Sequence, residues 1–86
     1  MAKYDPLFEH LCRCGDGPVE MTFTDIDKLV GGLPASARRH RAWWHNETEG
    51  SHVQARAWLN AGREVEEVDL NQEWVRFSGA SWRRGA

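Results

Sequence analysis

The sequence predicts an α+β fold in which helices pack on a small antiparallel sheet of three strands. With 86 residues the chain has the length of one domain. Apolar residues recur at helical spacing through its first two thirds, and two short apolar runs near its end are typical of a hairpin. We expect residues 1–77 to form a single compact domain and residues 78–86 to form a loose C-terminal tail.

The first two elements are predicted from apolar spacing. Residues 4–13 favour a helix, because Leu7, Phe8 and Leu11 recur at helical intervals. Residues 19–23 alternate apolar and polar side chains, which indicates a short strand with one buried face.

Capping residues predict where the next helix begins and ends. Thr24 with Asp27 forms a variant capping box at its start. Gly31 and Gly32 are expected to end it, because glycine readily adopts the left-handed conformation found after a helix. A further helix is expected to begin near Pro34, since proline suits a first helical turn.

The last helix and the hairpin complete the expected fold. Ser51 and Gln54 form a capping box, and Gly62 is expected to end the helix. Trp58 lies on the apolar side of this helix and is therefore predicted to be a core residue.

Two strands, residues 63–70 and 74–77, are predicted on either side of a turn at Asn71-Gln72. The uneven apolar spacing of the first strand indicates a β-bulge near Glu66-Glu67. The whole order resembles a winged helix-turn-helix with one extra helix, in which a helix enters the DNA major groove and the hairpin touches the backbone.

The charges are unevenly distributed along the chain. The net charge is −2, but residues 34–63 contain five Arg and two Glu, which gives +3. Residues 64–77 contain one Arg and five acidic residues, which gives −4. A positive segment between acidic ones favours a local anionic ligand over general coating of nucleic acid.

Residues 36–46 carry the candidate site. Arginine forks bind phosphate and guanine edges, tryptophan faces stack on bases, and asparagine can bind adenine through two hydrogen bonds. We therefore expect a small nucleic-acid-binding module, with duplex DNA as its ligand. The predicted contact residues are Arg38, Arg39, Arg41, Trp43, Asn46, Arg56 and Arg63.

A structural interpretation of the same residues stays open. Trp43 or Trp44 can anchor the core, since large aromatic residues in small domains are usually buried. Asn46 can cap a turn through backbone hydrogen bonds. The arginines can then be the solvated face of the segment.

Several motifs resemble a small group of uncharacterised bacterial and phage domains over residues 4–77. The resemblance implies a shared fold and implies no activity, and neither Cys12 nor Cys14 belongs to it. Its most specific elements are Leu33-Pro34-x-Ser36-Ala37-x5-Trp43-Trp44-x-Asn46 and Gln54-Ala55-x-Ala57-Trp58-Leu59-x-Ala61-Gly62, with Tyr4-Asp5-Pro6-Leu7, Phe23-Thr24-Asp25-Ile26 and Val75-x-Phe77 beside them.

The alternative function is a protein-interaction module, for example a phage-type inhibitor of a host protein. The acidic hairpin, residues 64–73, can dock a basic partner or protect an edge strand. An exposed Trp74 or Trp82 can anchor such a contact.

We expect the protein to bind no metal and no cofactor and to catalyse no reaction. Cys12 and Cys14 with His10 match poorly the paired cysteines of structural zinc sites, and a disulfide between cysteines so close would be strained. The sequence contains no Gly-rich phosphate loop and no consistent catalytic triad, so we expect a non-enzymatic protein. No apolar run approaches the roughly 20 residues of a membrane span and no signal peptide is evident, so we expect a cytoplasmic protein.

Overall fold

The computed structural model describes residues 2–47 and 53–80. These ranges contain four α-helices packed against a small antiparallel sheet, which confirms the predicted α+β class. None of these helices has the length and apolar character needed to cross a bilayer. The elements are α1 (Asp5–Arg13), β1 (Val19–Thr22), α2 (Phe23–Val30), α3 (Ala35–Arg39), a 3-10 helix (Arg41–Trp44), α4 (Ala55–Leu59), β2 (Val65–Asp69) and β3 (Trp74–Phe77).

The sheet has the strand order β1-β3-β2, with both pairs antiparallel. Val65 lies opposite Phe77, but Glu67 lies opposite Arg76, so Glu66 is an extra residue in β2. The β-bulge predicted at this place is thereby confirmed. The sheet face that packs under the helices presents Met21, Val68, Val75 and Phe77.

Four aromatic rings join the helices to the sheet. Trp44 stacks on Phe23 at 5.1 Å between ring centroids and on Trp58 at 5.9 Å. Trp58 in turn contacts Phe77 at 5.6 Å and is fully buried, which confirms its predicted place in the core. Each such ring removes roughly 150–250 Å² from water, so this column is a large share of the core of so short a chain.

The start of α2 lies two residues before the predicted one. Thr22 Oγ1 accepts a hydrogen bond from the backbone N–H of Asp25, and the Asp25 carboxylate accepts one from the Thr22 N–H. The capping box is therefore Thr22 with Asp25, not Thr24 with Asp27. Gly31 ends the helix as predicted, with φ of 75° in the left-handed region.

The helix expected to begin near Pro34 does not continue without a break through residues 35–44. Its backbone becomes extended at His40, with φ −127° and ψ 120°, and this separates α3 from the 3-10 helix. The last helix, α4, begins at Ala55, and the predicted cap Ser51 lies outside the described residues. Gly62 follows α4 with φ of 77°, as expected for a residue that ends a helix.

The packed chain extends beyond the predicted boundary at residue 77. Ser78 donates its backbone N–H to the Glu64 carbonyl at 2.7 Å, and Ala80 donates to the Asp16 carbonyl at 3.0 Å. Ala80 is buried, so residues 78–80 belong to the domain and not to a loose tail. The remainder of the predicted tail, residues 81–86, lies outside the described residues.

Arg63 is buried at the point where α1, the following loop and the end of β3 meet. It is only 1% exposed, and it has no carboxylate partner in the described part of the chain. Its five N–H donors are all used, since arginine has five and five hydrogen bonds are present. The acceptors are the backbone carbonyls of Leu11, Cys14, Gly15, Gly17 and Ser78.

We expect Arg63→Met to lower the free energy of unfolding by about 3–5 kcal/mol, because it leaves several buried carbonyl groups without donors. Arg63→Lys should recover only part of this loss, since lysine has three donors on a single nitrogen. Chemical denaturation measures both changes. The control is Arg39→Met at an exposed position, which should stay within about 0.5 kcal/mol of the wild type. An Arg63→Met protein as stable as this control would contradict the structural role of Arg63.

Candidate functional site

Arg38 holds three elements together. Its guanidinium bonds Glu73 at 3.1 Å, in the turn between β2 and β3, and Asp27 at 3.4 Å, within α2. About a third of its side chain is exposed, and two carboxylates balance its charge. A phosphate at this position would have to compete with both carboxylates.

Arg41 and Asn46 cover one edge of the sheet, the outer side of β2. β2 is an edge strand, and antiparallel pairing turns the backbone groups of alternate residues away from the neighbouring strand. Arg41 donates to the outward carbonyl of Val68 at 2.7 Å. Asn46 accepts from the N–H of Val65 at 2.8 Å and donates to its carbonyl at 3.1 Å. These side chains occupy groups that would otherwise be open to another strand.

Asn46 also binds the core. Its Oδ1 accepts a second hydrogen bond, from the indole N–H of Trp58 at 2.8 Å. Adenine recognition needs the amide oxygen and nitrogen together. Because the oxygen already accepts two bonds and the nitrogen donates one, the predicted contact with adenine would require Asn46 to give up bonds that it makes within the fold.

Trp43 belongs to the outer layer of the core. Its half-buried ring meets Trp44 at 4.6 Å and Tyr4 at 5.9 Å, both edge to face. Its backbone carbonyl accepts a hydrogen bond from Gln54 at 2.9 Å. Trp44 is the fully buried member of the pair, with its indole N–H on the Ala37 carbonyl at 2.8 Å. The expectation that one of the two tryptophans anchors the core is confirmed.

The remaining predicted contacts divide into one buried and two exposed residues. Arg63 is buried with all its donors bonded to backbone carbonyls, so the predicted nucleic-acid contact would require it to leave these bonds and the interior. Arg39 and Arg56 are exposed, and their side chains have no ion pair or hydrogen bond among residues 2–47 and 53–80. Arg39 and Arg56 are thus the predicted arginines without a side-chain partner in these ranges, while the exposed Arg41 bonds a single backbone carbonyl.

Within the same two ranges, no group of three or more His, Cys, Asp and Glu side chains could hold a metal ion. Cys12 and Cys14 are both thiols and lie half-buried near the end of α1.

The second face of the sheet is open and acidic. Cross-strand pairing places two rows of side chains on it, one centred on Arg76 and one on Trp74. Arg76 bonds Glu20 at 2.7 Å and lies 3.6 Å from Glu67, and hydrogen bonding to Glu20 raises the pKa of its guanidinium. We call this surface the acidic sheet face, formed by Glu20, Thr22, Glu67, Asp69, Trp74 and Arg76.

The sequence contains a partial signal for this face. Alternation along β3 places Trp74 and Arg76 on one side and buried Val75 and Phe77 on the other. Their pairing with Glu20 and Glu67 depends on the strand order, which alternation does not determine.

Replacing Asn46 by Ala should lower the free energy of unfolding by about 2–4 kcal/mol, because the buried Trp58 N–H and the Val65 edge groups lose their partner. Thermal or chemical unfolding measures the change. Asn60→Ala is the matched control, since Asn60 is an exposed asparagine with no side-chain bond in the described ranges. Equal stability of the two variants would show that the Asn46 amide is free for a ligand.

The lowered pKa of Asp27 should make the free energy of unfolding depend on pH. The Leu33 N–H, bonded at 2.9 Å, and then Arg38 hold the pKa of the Asp27 carboxyl below its ordinary value. A carboxyl with a lowered folded-state pKa stabilises the fold above its unfolded pKa, and this contribution is lost as the pH falls through the folded pKa. Unfolding midpoints between about pH 6 and pH 2 should therefore fall less steeply for Asp27→Asn than for wild type. Glu9→Gln, on the exposed side of α1, should keep the wild-type slope; an unchanged slope in Asp27→Asn would contradict the assignment.

The chain matches the family model described as a domain of unknown function, DUF7662, over residues 4–80. The match includes every helix and strand described above. It ends at the buried Ala80 and does not include residues 81–86. No curated protein and no solved structure gives a significant match to the chain. The protein therefore belongs to the DUF7662 family.

Proposed function

We propose that this domain is a non-enzymatic module that binds a basic segment of another protein through the acidic sheet face. The observation that carries the proposal is an antiparallel sheet with one face packed under helices and the other open, acidic and centred on an aromatic residue. Antiparallel sheets often leave one face to solvent, and such a face gives a partner a flat surface.

Trp74 supplies the anchor for this contact. It lies in β3, the central strand, between Thr22 and Asp69 on the neighbouring strands. The Arg76 guanidinium lies 5.7 Å from its ring centroid, within cation–π range. Tryptophan is among the residues that contribute most to binding free energy at protein interfaces.

The charges of the hairpin determine the sign of the partner. Residues 64–77 carry five carboxylates and one arginine; Glu73 is paired with Arg38, and Arg76 is shared by Glu20 and Glu67. The excess negative charge repels phosphate and attracts lysine and arginine side chains.

Nucleic-acid binding with a winged-helix-like mode is the second candidate. The observation that favours it is the uncommitted charge of Arg39 and Arg56. In that mode a helix enters the major groove and the hairpin touches the DNA backbone. Here α4 has five residues, of which Arg56 is the only basic one, and the hairpin carries the five carboxylates. Charge therefore favours the protein partner.

Selection of random peptides against the immobilised domain should enrich peptides rich in lysine and arginine. The double variant Glu67→Gln/Asp69→Asn removes two charges and keeps the Asp69 oxygen that caps the following turn. It should weaken the enriched peptide at least about tenfold, as should Trp74→Thr. Glu9→Gln removes a charge from α1 and should leave the affinity unchanged. Enrichment of acidic peptides, or full affinity in both sheet-face variants, would contradict the proposal.

A gel shift with random duplex DNA separates the two candidates. The proposal predicts no binding at about 50 mM salt, whereas phosphate contacts would bind there and weaken steeply by about 200 mM. Binding that is lost in the double variant Arg39→Ala/Arg56→Ala would establish the second candidate instead.

A further inference from the structure

A groove lies between the first turn of α1 and α4, on the helical side of the molecule. Its volume is about 440 Å³, within the range of ligand and side-chain pockets. The acidic sheet face lies on the other side, because the core separates the helices from the open face of the sheet. The groove is lined chiefly by Lys3, Tyr4, Phe8, Val53, Arg56 and Ala57.

The floor of the groove is apolar. Tyr4 and Phe8 are half-buried against the core, and Ala57 is buried. Val53 at the mouth is 54% exposed and is the one large hydrophobic residue exposed among residues 2–47 and 53–80. Burial raises the pKa of the Tyr4 hydroxyl, which lies beside the groove and can donate a hydrogen bond there. This lining favours an apolar side chain of a partner.

The rim of the groove favours a negative charge. The Arg56 guanidinium is exposed and has no ion pair or side-chain hydrogen bond in the described part of the chain. Lys3 lies on the same rim with its ammonium 3.2 Å from the Val30 carbonyl. The Asp5 carboxylate on this rim already accepts a hydrogen bond from the Ala2 N–H at 3.1 Å. Arginine forks bind carboxylates through two parallel hydrogen bonds.

We propose that this groove binds a short peptide segment of a partner protein in which an apolar side chain adjoins an aspartate or glutamate. The apolar side chain fills the space between Tyr4, Phe8 and Val53, and the carboxylate binds Arg56. The site is independent of the acidic sheet face and has the opposite charge preference.

Three capped dipeptides test the proposal by NMR titration of the whole chain: N-acetyl-Leu-Glu-amide, N-acetyl-Leu-Gln-amide and N-acetyl-Leu-Lys-amide. The Leu-Glu probe should shift the backbone amide signals of Phe8, Val53 and Ala57 at concentrations up to about 10 mM. It should bind about threefold to tenfold more tightly than Leu-Gln, and Leu-Lys should bind most weakly.

Two variants assign the two halves of the site. Arg56→Gln should make the Leu-Glu and Leu-Gln affinities equal, and Val53→Ser should weaken both. Arg39→Gln is the matched control and should change neither, and Glu67→Gln/Asp69→Asn should also have no effect, which keeps this test separate from that of the sheet face. Absence of shifts at the groove, or equal binding of the three probes to wild type, would overturn the proposal. So would shifts at the same residues that depend on protein concentration without a probe, because a second copy would then be the occupant.

Discussion

The burial of Arg63 is the constraint on which the arrangement of this chain depends. A guanidinium keeps its charge at any pH at which the protein folds, so its burial requires compensation for lost hydration. Here the compensation comes from carbonyl groups at the end of α1, in the loop that follows and at Ser78. The end of α1 contributes the negative end of the helix dipole as well. Ser78 is far in sequence from the end of α1 and its loop, and the Arg63 side chain joins them, as does the backbone bond from Ala80 to Asp16.

Several arginines of residues 34–63 likewise bond acceptors within the fold. The donors of an arginine that bind phosphate outside a protein can equally bind carbonyls and carboxylates within it. Arg38 joins α2 and α3 to the hairpin turn, and Arg41 covers the edge of β2 together with Asn46. Three of the five arginines in residues 34–63 thus bond groups within the fold, namely Arg38, Arg41 and Arg63. Two surfaces that stay open among the described residues are the acidic sheet face and the groove beside Arg56, and they have opposite charge preferences.

Local patterns were sufficient to predict the β2–β3 hairpin, the bulge at Glu66 and the burial of Trp58, because each depends on residues close in sequence. Local patterns failed where two overlapping motifs fitted the same structural feature equally well. Thr22-x-x-Asp25 and Thr24-x-x-Asp27 both fit a capping box, and the first one prevails because β1 must end where Phe23 bonds the Glu73 carbonyl. Partners distant in sequence were also beyond local patterns. Nothing near Asn46 or Arg63 indicates that their acceptors lie 19 and as many as 52 residues away.

Hydrogen exchange of the arginine side chains, measured by ¹⁵N NMR, tests most directly which arginines are committed to the fold. The structure predicts slow exchange of the Arg63 Nε–H and Nη–H groups, with a protection free energy equal to that of global unfolding. It predicts fast exchange for Arg39 and Arg56. Exchange of Arg63 as fast as that of Arg39 would contradict the account, since it would place the guanidinium in solvent and leave it available to a ligand.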